Sequence, residues 1–89
     1  MPDIIVYSTT YCPYCVRAKQ LLERKDVEYQ EVMVDHDPSL MQEMMERSQR
    51  RTVPQIFINE QSIGGYDDLA HLDAKGELDV LLGLADAPG

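Results

Sequence analysis

Cysteine is scarce in this chain: two residues among 89, Cys12 and Cys15. A single pair cannot build the multi-disulfide framework that staples small secreted domains, and it supplies too few ligands for a structural zinc site. Positive charge is scarce as well, with eight Lys and Arg against sixteen Asp and Glu and a formal net charge of −8. No basic stripe is available to neutralise a phosphate backbone or to dock on an anionic membrane. The acidic excess is read as solubility. Long apolar runs are missing too; none approaches the ~20 residues that cross a bilayer. Met1-Pro2-Asp3 shows neither the basic start nor the apolar stretch of a secretory signal, which predicts a cytoplasmic chain. Repeats, low-complexity tracts and linkers are absent. With 44% hydrophobic residues, the 89-residue chain is expected to form one domain, 1–89, around a modest core.

What the chain does have is Thr10-Tyr11-Cys12-Pro13-Tyr14-Cys15, placed straight after the apolar run Ile4-Ile5-Val6-Tyr7. Residues 13–25 read as a helix, with Pro13 at the tolerated first position and Ala18, Leu21 and Leu22 as its inward stripe. Cysteines at i and i+3 on a first helical turn lie close enough to bridge. The unpaired N–H groups and positive dipole end of a helix start favour a thiolate, the form that attacks disulfides. Strand, Cys-x-x-Cys and helix together predict a redox centre. Cys12, at the helix start, is the expected nucleophile, and Cys15, one turn in, the resolving cysteine. Burial would raise a thiol pKa, but for an exposed capping thiol the favourable donors should win.

The remaining pattern predicts strands over 3–8, 28–34, 53–58 and 61–64, with a tight turn near Asn59-Glu60 joining the last two. A second helix opens at Asp37-Pro38, with Asp37 as N-cap. Its apolar residues, Leu40, Met41, Met44 and Met45, share one face and are read as core filling rather than a binding stripe. A third helix is expected from a cap at Asp67 to about Lys75, ended by Gly76. Leu78, Val80, Leu81 and Leu84 suggest a last turn or two, and 85–89 should fray. The first strand–helix–strand unit requires a parallel pair with a right-handed crossover. The expected fold class is therefore α/β: a four-stranded mixed sheet with helices on both faces.

Cys12-Pro13-Tyr14-Cys15, Thr52-Val53-Pro54-Gln55-Ile56-Phe57 and Gly64-Gly65-Tyr66-Asp67-Asp68, in this order and on these elements, resemble a small dithiol glutaredoxin over residues 3–83. The resemblance implies a thioredoxin-like fold and a glutathione-dependent thiol–disulfide oxidoreductase. Glutathione would be the reductant, with no bound cofactor and no metal. Disulfide-containing or glutathionylated proteins would be the other partners of a chain expected to act as a monomer.

The same resemblance implies a glutathione site. From residues alone, Val53-Pro54 is open between a cis turn and an ordinary strand start; the resemblance implies cis. Val53 would then offer its N–H and C=O to glutathione as an added strand. Gly65, Tyr66, Asp67 and Asp68 combine close backbone approach with a helix N-terminus. Tyr66 and Asp67 N–H groups would take the γ-glutamyl carboxylate, and Asp67 or Asp68 its ammonium. Without a ligand, the same stretch is a turn and a helix cap. Tyr14 would wall the groove, Tyr66 would narrow it, and Thr52 would line it. Many glutaredoxins carry a lysine three residues before the first cysteine, where this chain has Thr9. Arg50 or Arg51, with Gln55, is the expected substitute partner for the glycine carboxylate. The basic run 47–51 is otherwise a solvated face. His36 and His71 lack metal-ligand spacing with the cysteines and are read as surface or satisfied core residues.

Two other readings compete. One is a thioredoxin-like donor reduced by a flavoprotein, disfavoured by the glutathione-site residues Arg50, Arg51 and Gly65 to Asp68. The other is a dimer sharing an iron–sulfur cluster through Cys12 and glutathione, disfavoured by the stiff Pro13 and by Cys15, which offers a competing disulfide.

Overall fold

The computed structural model describes residues 2–86, so the expected fraying of 87–89 lies outside it. Strands β1 (Ile4–Ser8), β2 (Gln30–Met33), β3 (Gln55–Ile58) and β4 (Gln61–Gly64) form one sheet in the order β2-β1-β3-β4. β1 pairs parallel to β2 and antiparallel to β3, and β3 pairs antiparallel to β4. The parallel pair follows from helix α1 (Pro13–Arg24), which carries the chain back along the sheet. Asn59 and Glu60, both at positive φ (50° and 69°), make the tight turn between β3 and β4.

Helices cover both faces. Ile4 and Val6 of β1 and Ile56 and Ile58 of β3 pack against Ala18, Leu21 and Leu22 of α1, Leu69 of α3 (Tyr66–Ala74) and Leu78 of α4 (Glu77–Leu81). On the other face, Tyr7 and Phe57 meet Met44 of α2 (Pro38–Ser48), with Leu40, Met41 and Met45 packed around them. The methionine stripe thus fills core. Period-2 alternation along β1 and β3 divides the two clusters.

Three elements depart from expectation by more than one residue. The third strand begins at Gln55, after the cis Val53-Pro54 bond. The second strand is shorter, from Gln30 to Met33. The third helix is capped two residues earlier than expected: Gly65 is the N-cap, and Asp67 lies inside the first turn. Asp68 explains the shift, since its Oδ2 accepts the Gly65 N–H at 2.9 Å and fixes the helix start there. Asp37 caps α2 as expected, accepting the Ser39 N–H at 2.9 Å.

Candidate active site

Cys12 is the N-cap of α1, in an extended conformation, with Pro13 following as the first helical residue. This start leaves the Cys12 side chain at the helix end, partly exposed, while Cys15 points inward and is 1% exposed. The two form a disulfide, with Cα atoms 5.1 Å apart. Cys12 Sγ accepts the Cys15 N–H at 3.1 Å, so this sulfur satisfies one of the helix's free donors. The Val53 carbonyl lies 3.8 Å from the same sulfur.

From there a groove of about 220 Å³ opens, lined by Tyr14, Arg50, Thr52, Val53, Pro54, Gly65, Tyr66, Asp67 and Asp68. Nine of the eleven non-cysteine residues expected at the site come together here. Arg51 does not; it lines a separate cleft with Gln42, Met45, Glu46, Gln49 and Arg50. A wider cleft between Asp26–Glu28 and Val80–Leu84 holds neither cysteine.

Each wall of the groove has a local cause. Tyr14 and Tyr66 face each other with ring centroids 6.3 Å apart, and the Arg17 guanidinium covers Tyr14 at 5.3 Å. The Thr52–Pro54 turn is held from beneath by Gln55, whose Nε2 donates to the Thr52 carbonyl at 3.0 Å and to its Oγ1 at 3.2 Å. Gln55 is 0% exposed. It cannot meet a ligand carboxylate as the sequence suggested; burial in β3 has turned it into a strut for the turn. At the far end, Asp68 Oδ2 receives both the Gly65 N–H and Arg50 Nη1, each at 2.9 Å. The Gly65 N–H first, and Arg50 second, hold the Asp68 carboxyl below the usual carboxylate range.

The basic run is divided by these contacts. Arg50 serves the Asp68 end of the groove. Arg47 turns back over Phe57, 4.3 Å from its ring, and donates to the Tyr7 hydroxyl at 2.5 Å. That hydroxyl in turn donates to Glu43 at 2.7 Å. Burial, and then the Glu43 contact, push the Tyr7 phenol up. The signal for this cluster was Tyr7 itself: a polar tip in an apolar strand needs a partner when buried.

Beside Thr9 there is a carboxylate rather than a cation. Thr10 gives its N–H and hydroxyl to Asp35 Oδ2 at 3.0 and 2.7 Å, which holds the Asp35 carboxyl low. His36 is exposed, with Nε2 3.5 Å from Thr10 Oγ1. Pairing of the 9–11 loop with the end of β2 was not read from the sequence, since neither Thr10 nor Asp35 belongs to a motif.

The glutaredoxin family model matches residues 4–63. The chain is 50% identical to a glutaredoxin of Pseudomonas aeruginosa over 82 residues, covering 92% of this chain and 98% of that one. It is 52% identical to glutaredoxin 3 of Escherichia coli K12 over 82 residues, covering 92% and 99%. Among solved structures it resembles a buckwheat glutaredoxin–glutathione complex, with a TM-score of 0.85, 30% identity, and 92% and 77% of the chains covered. The glutaredoxin of Brucella melitensis superposes with a TM-score of 0.82 at 48% identity, covering 97% and 94%. The fold is thus thioredoxin-like, and the chain belongs to the glutaredoxin family, glutathione-dependent thiol–disulfide oxidoreductases, with Cys12 and Cys15 as its redox pair.

Proposed function

We propose that glutathione lies in the groove that runs from Cys12 past Val53 to Gly65–Asp68. The observation that carries this placement is the position of Cys12 Sγ, 3.8 Å from the Val53 carbonyl at the mouth of that groove. A cysteine residue bound as an added strand on Val53 would bring its own sulfur to Cys12. The γ-glutamyl end then reaches the α3 N-terminus, where Tyr66 and Asp67 N–H groups suit its carboxylate and Asp68 its ammonium. Tyr14 and Thr52 border the tripeptide, and Pro54 shapes the turn.

In the reaction, the Cys12 thiolate attacks the glutathionyl sulfur of a mixed disulfide. The Cys12–glutathione bond forms, the substrate S–S bond breaks, and the substrate leaves as its thiol after taking a proton. A second glutathione thiolate attacks the glutathione sulfur, releasing oxidised glutathione and Cys12. In the dithiol route Cys15 attacks Cys12 instead, and two glutathiones later reduce the Cys12–Cys15 disulfide. The first-turn donors around Cys12 favour its thiolate as attacker and as leaving group.

We read residues 1–89 as one such domain, acting as a cytoplasmic monomer on glutathionylated or disulfide-bonded proteins, with no nucleic-acid or membrane partner. Among the described residues, no helix is long and apolar enough to cross a membrane. Turnover of a glutathione mixed disulfide, coupled to glutathione reductase in one arm and thioredoxin reductase in the other, tests the reading. Turnover should require glutathione; efficient reduction by thioredoxin reductase alone would overturn it.

A further inference from the structure

The end of β1 carries a buried hydroxyl that the groove does not use. Ser8, the last residue of the strand, is 0% exposed, and its Oγ has no hydrogen-bond partner. A buried hydroxyl left unmatched is costly. Alternation along β1 puts Ile4, Val6 and Ser8 on one face of the sheet, and Ile4 and Val6 share a core with Ala18, Leu21 and Leu22 of α1. Cys15, Ala18 and Leu22 are buried residues of that helix at i, i+3 and i+7. α1 runs back along β1, so its first turn lies over the end of the strand. Cys15 to Leu22 spans roughly 10 Å of helix, and Ser8 to Ile4 roughly 13 Å of strand. The register therefore sets Cys15 over the Ser8 end of β1. Among the described residues, the other fully buried side chains with a polar donor are Tyr7 and Gln55. Those two pair opposite each other and belong to the α2 face. Ser8 is the donor left for the α1 face.

We infer that the Ser8 hydroxyl serves the resolving sulfur, donating to Cys15 Sγ when that sulfur is free of the disulfide and carries charge. The inference rests on the dithiol route proposed above. In the disulfide, Cys15 Sγ is tied to Cys12 at the helix start, and Ser8 goes without a partner. Once the bond opens, the Cys15 side chain can turn toward the sheet. At 1% exposure it meets little water, so a neutral donor beside it matters most when the sulfur is ionised. In resolution, Cys15 gives up its proton and attacks Cys12 Sγ. The Cys12–Cys15 bond forms, the Cys12–glutathione bond breaks, and the departing glutathione sulfur regains a proton from solvent. In reduction of the internal disulfide by glutathione, the same Cys15 sulfur leaves with the electron pair. Ser8 faces one charged sulfur in both directions and lowers both barriers. It also favours the dithiol, the state in which its hydroxyl has a partner.

The test compares the unaltered protein with Ser8→Ala, which removes the hydroxyl and little volume, and Ser8→Thr, which keeps a hydroxyl. Reduced protein is mixed with a limiting glutathionylated peptide, quenched in acid and followed by mass spectrometry. The Cys12–glutathione adduct should pass to the internal disulfide about ten-fold more slowly in Ser8→Ala, the scale of a hydrogen bond to a charged group. The pH profile of this step should move to higher pH, and Ser8→Thr should recover most of the rate. The effect should require Cys15: in the Cys15→Ser background, which has no resolving step, Ser8→Ala should add no loss. An equal slowing there would show that Ser8 merely packs against the helix start, and would overturn the inference. Titration in dithiothreitol buffers needs no glutathione site. There Ser8→Ala should shift the equilibrium toward the disulfide about ten-fold, which moves the midpoint about 30 mV more negative. An unchanged or less negative midpoint would overturn the role of Ser8, even where the adduct forms. If no protein forms the adduct but the midpoint shifts as expected, the glutathione reading fails and the role of Ser8 stands. Oxidised Ser8→Ala should melt no lower than the original, which excludes a folding cause.

Discussion

Replacing Gln55 by Leu should leave stability nearly unchanged yet weaken glutathione binding. Gln55 is fully buried and makes two hydrogen bonds, both to Thr52, while its Oε1 has no partner. Losing the two bonds removes about 2 kcal/mol, at roughly 1 each. Losing an orphaned buried oxygen returns about 1–3 kcal/mol. Leu is of similar size, and the exposed Thr52 can turn its polar groups to water. The two effects cancel to within about 1 kcal/mol, a change in Tm of no more than ~4–8 °C. The groove has no such compensation. With the strut gone, the Thr52 backbone must be ordered when glutathione binds, and fixing one residue's backbone costs about 1–2 kcal/mol. KM for glutathione should therefore rise roughly 5–30-fold, with kcat little affected. Calorimetry and steady-state kinetics on the same preparation decide the matter, with amide exchange at Val53 as a direct report of the turn. A large fall in Tm with KM unchanged would refute the reasoning and make Gln55 a core residue without influence on the groove.

Other expectations follow from the site. Cys12→Ser should abolish activity, whereas Cys15→Ser should keep deglutathionylation and lose dithiol-type reduction of protein disulfides; equal loss in both on a glutathionylated peptide would reverse the assignment of attacker and resolver. Thr9→Lys should lower the Cys12 pKa by about a few tenths of a unit, less at high salt, and tighten glutathione binding, read by thiolate absorbance against pH; Asp35 beside Thr10 should take part of the new charge, so the shift should grow in the Asp35→Asn background. Asp68, whose folded pKa is depressed, should stabilise the protein fully above the ordinary carboxylate range, and that contribution should fade as pH falls through its folded value; Asp68→Asn should flatten this part of the acid-unfolding curve. Tyr29, raised to about 12 by burial and then by the Glu23 contact, should favour the fold at neutral pH and lose that contribution between about pH 10 and 12. Tyr29→Phe should remove that alkaline limb from the unfolding curve.

The sequence revealed most where one residue type has one physical use. Pro13 after Cys12 marked a helix start, Asp37-Pro38 marked another, and alternation in β3 marked its two buried faces. It revealed less where a side chain has several possible partners. Asp67 and Asp68 are alike in composition, and only the back-bond from Asp68 to Gly65 decides where α3 begins. Gln55 looks like a ligand contact in an apolar strand, but its direction depends on pairing with β1, a long-range fact. Arg47, Arg50 and Arg51 read as one basic run, yet the end of α2 sends them to the Tyr7–Phe57 cluster, the groove and a separate cleft. Long, flexible cations take their positions from the tertiary surroundings.

The first residue of the α1 cap is also the residue that changes oxidation state. A thiolate at Cys12 is an anionic cap facing free backbone donors; a sulfur in a disulfide is a neutral one. Whatever the folded chain does for the thiolate, the thiolate does in equal measure for the folded chain, because both are legs of one thermodynamic cycle. The difference in unfolding free energy between the reduced and oxidised protein must equal the difference in disulfide reduction free energy between the folded and unfolded chain. A melting curve taken in each redox state thus measures, without any enzyme assay, how strongly the fold shifts the reduction of its own cysteine pair.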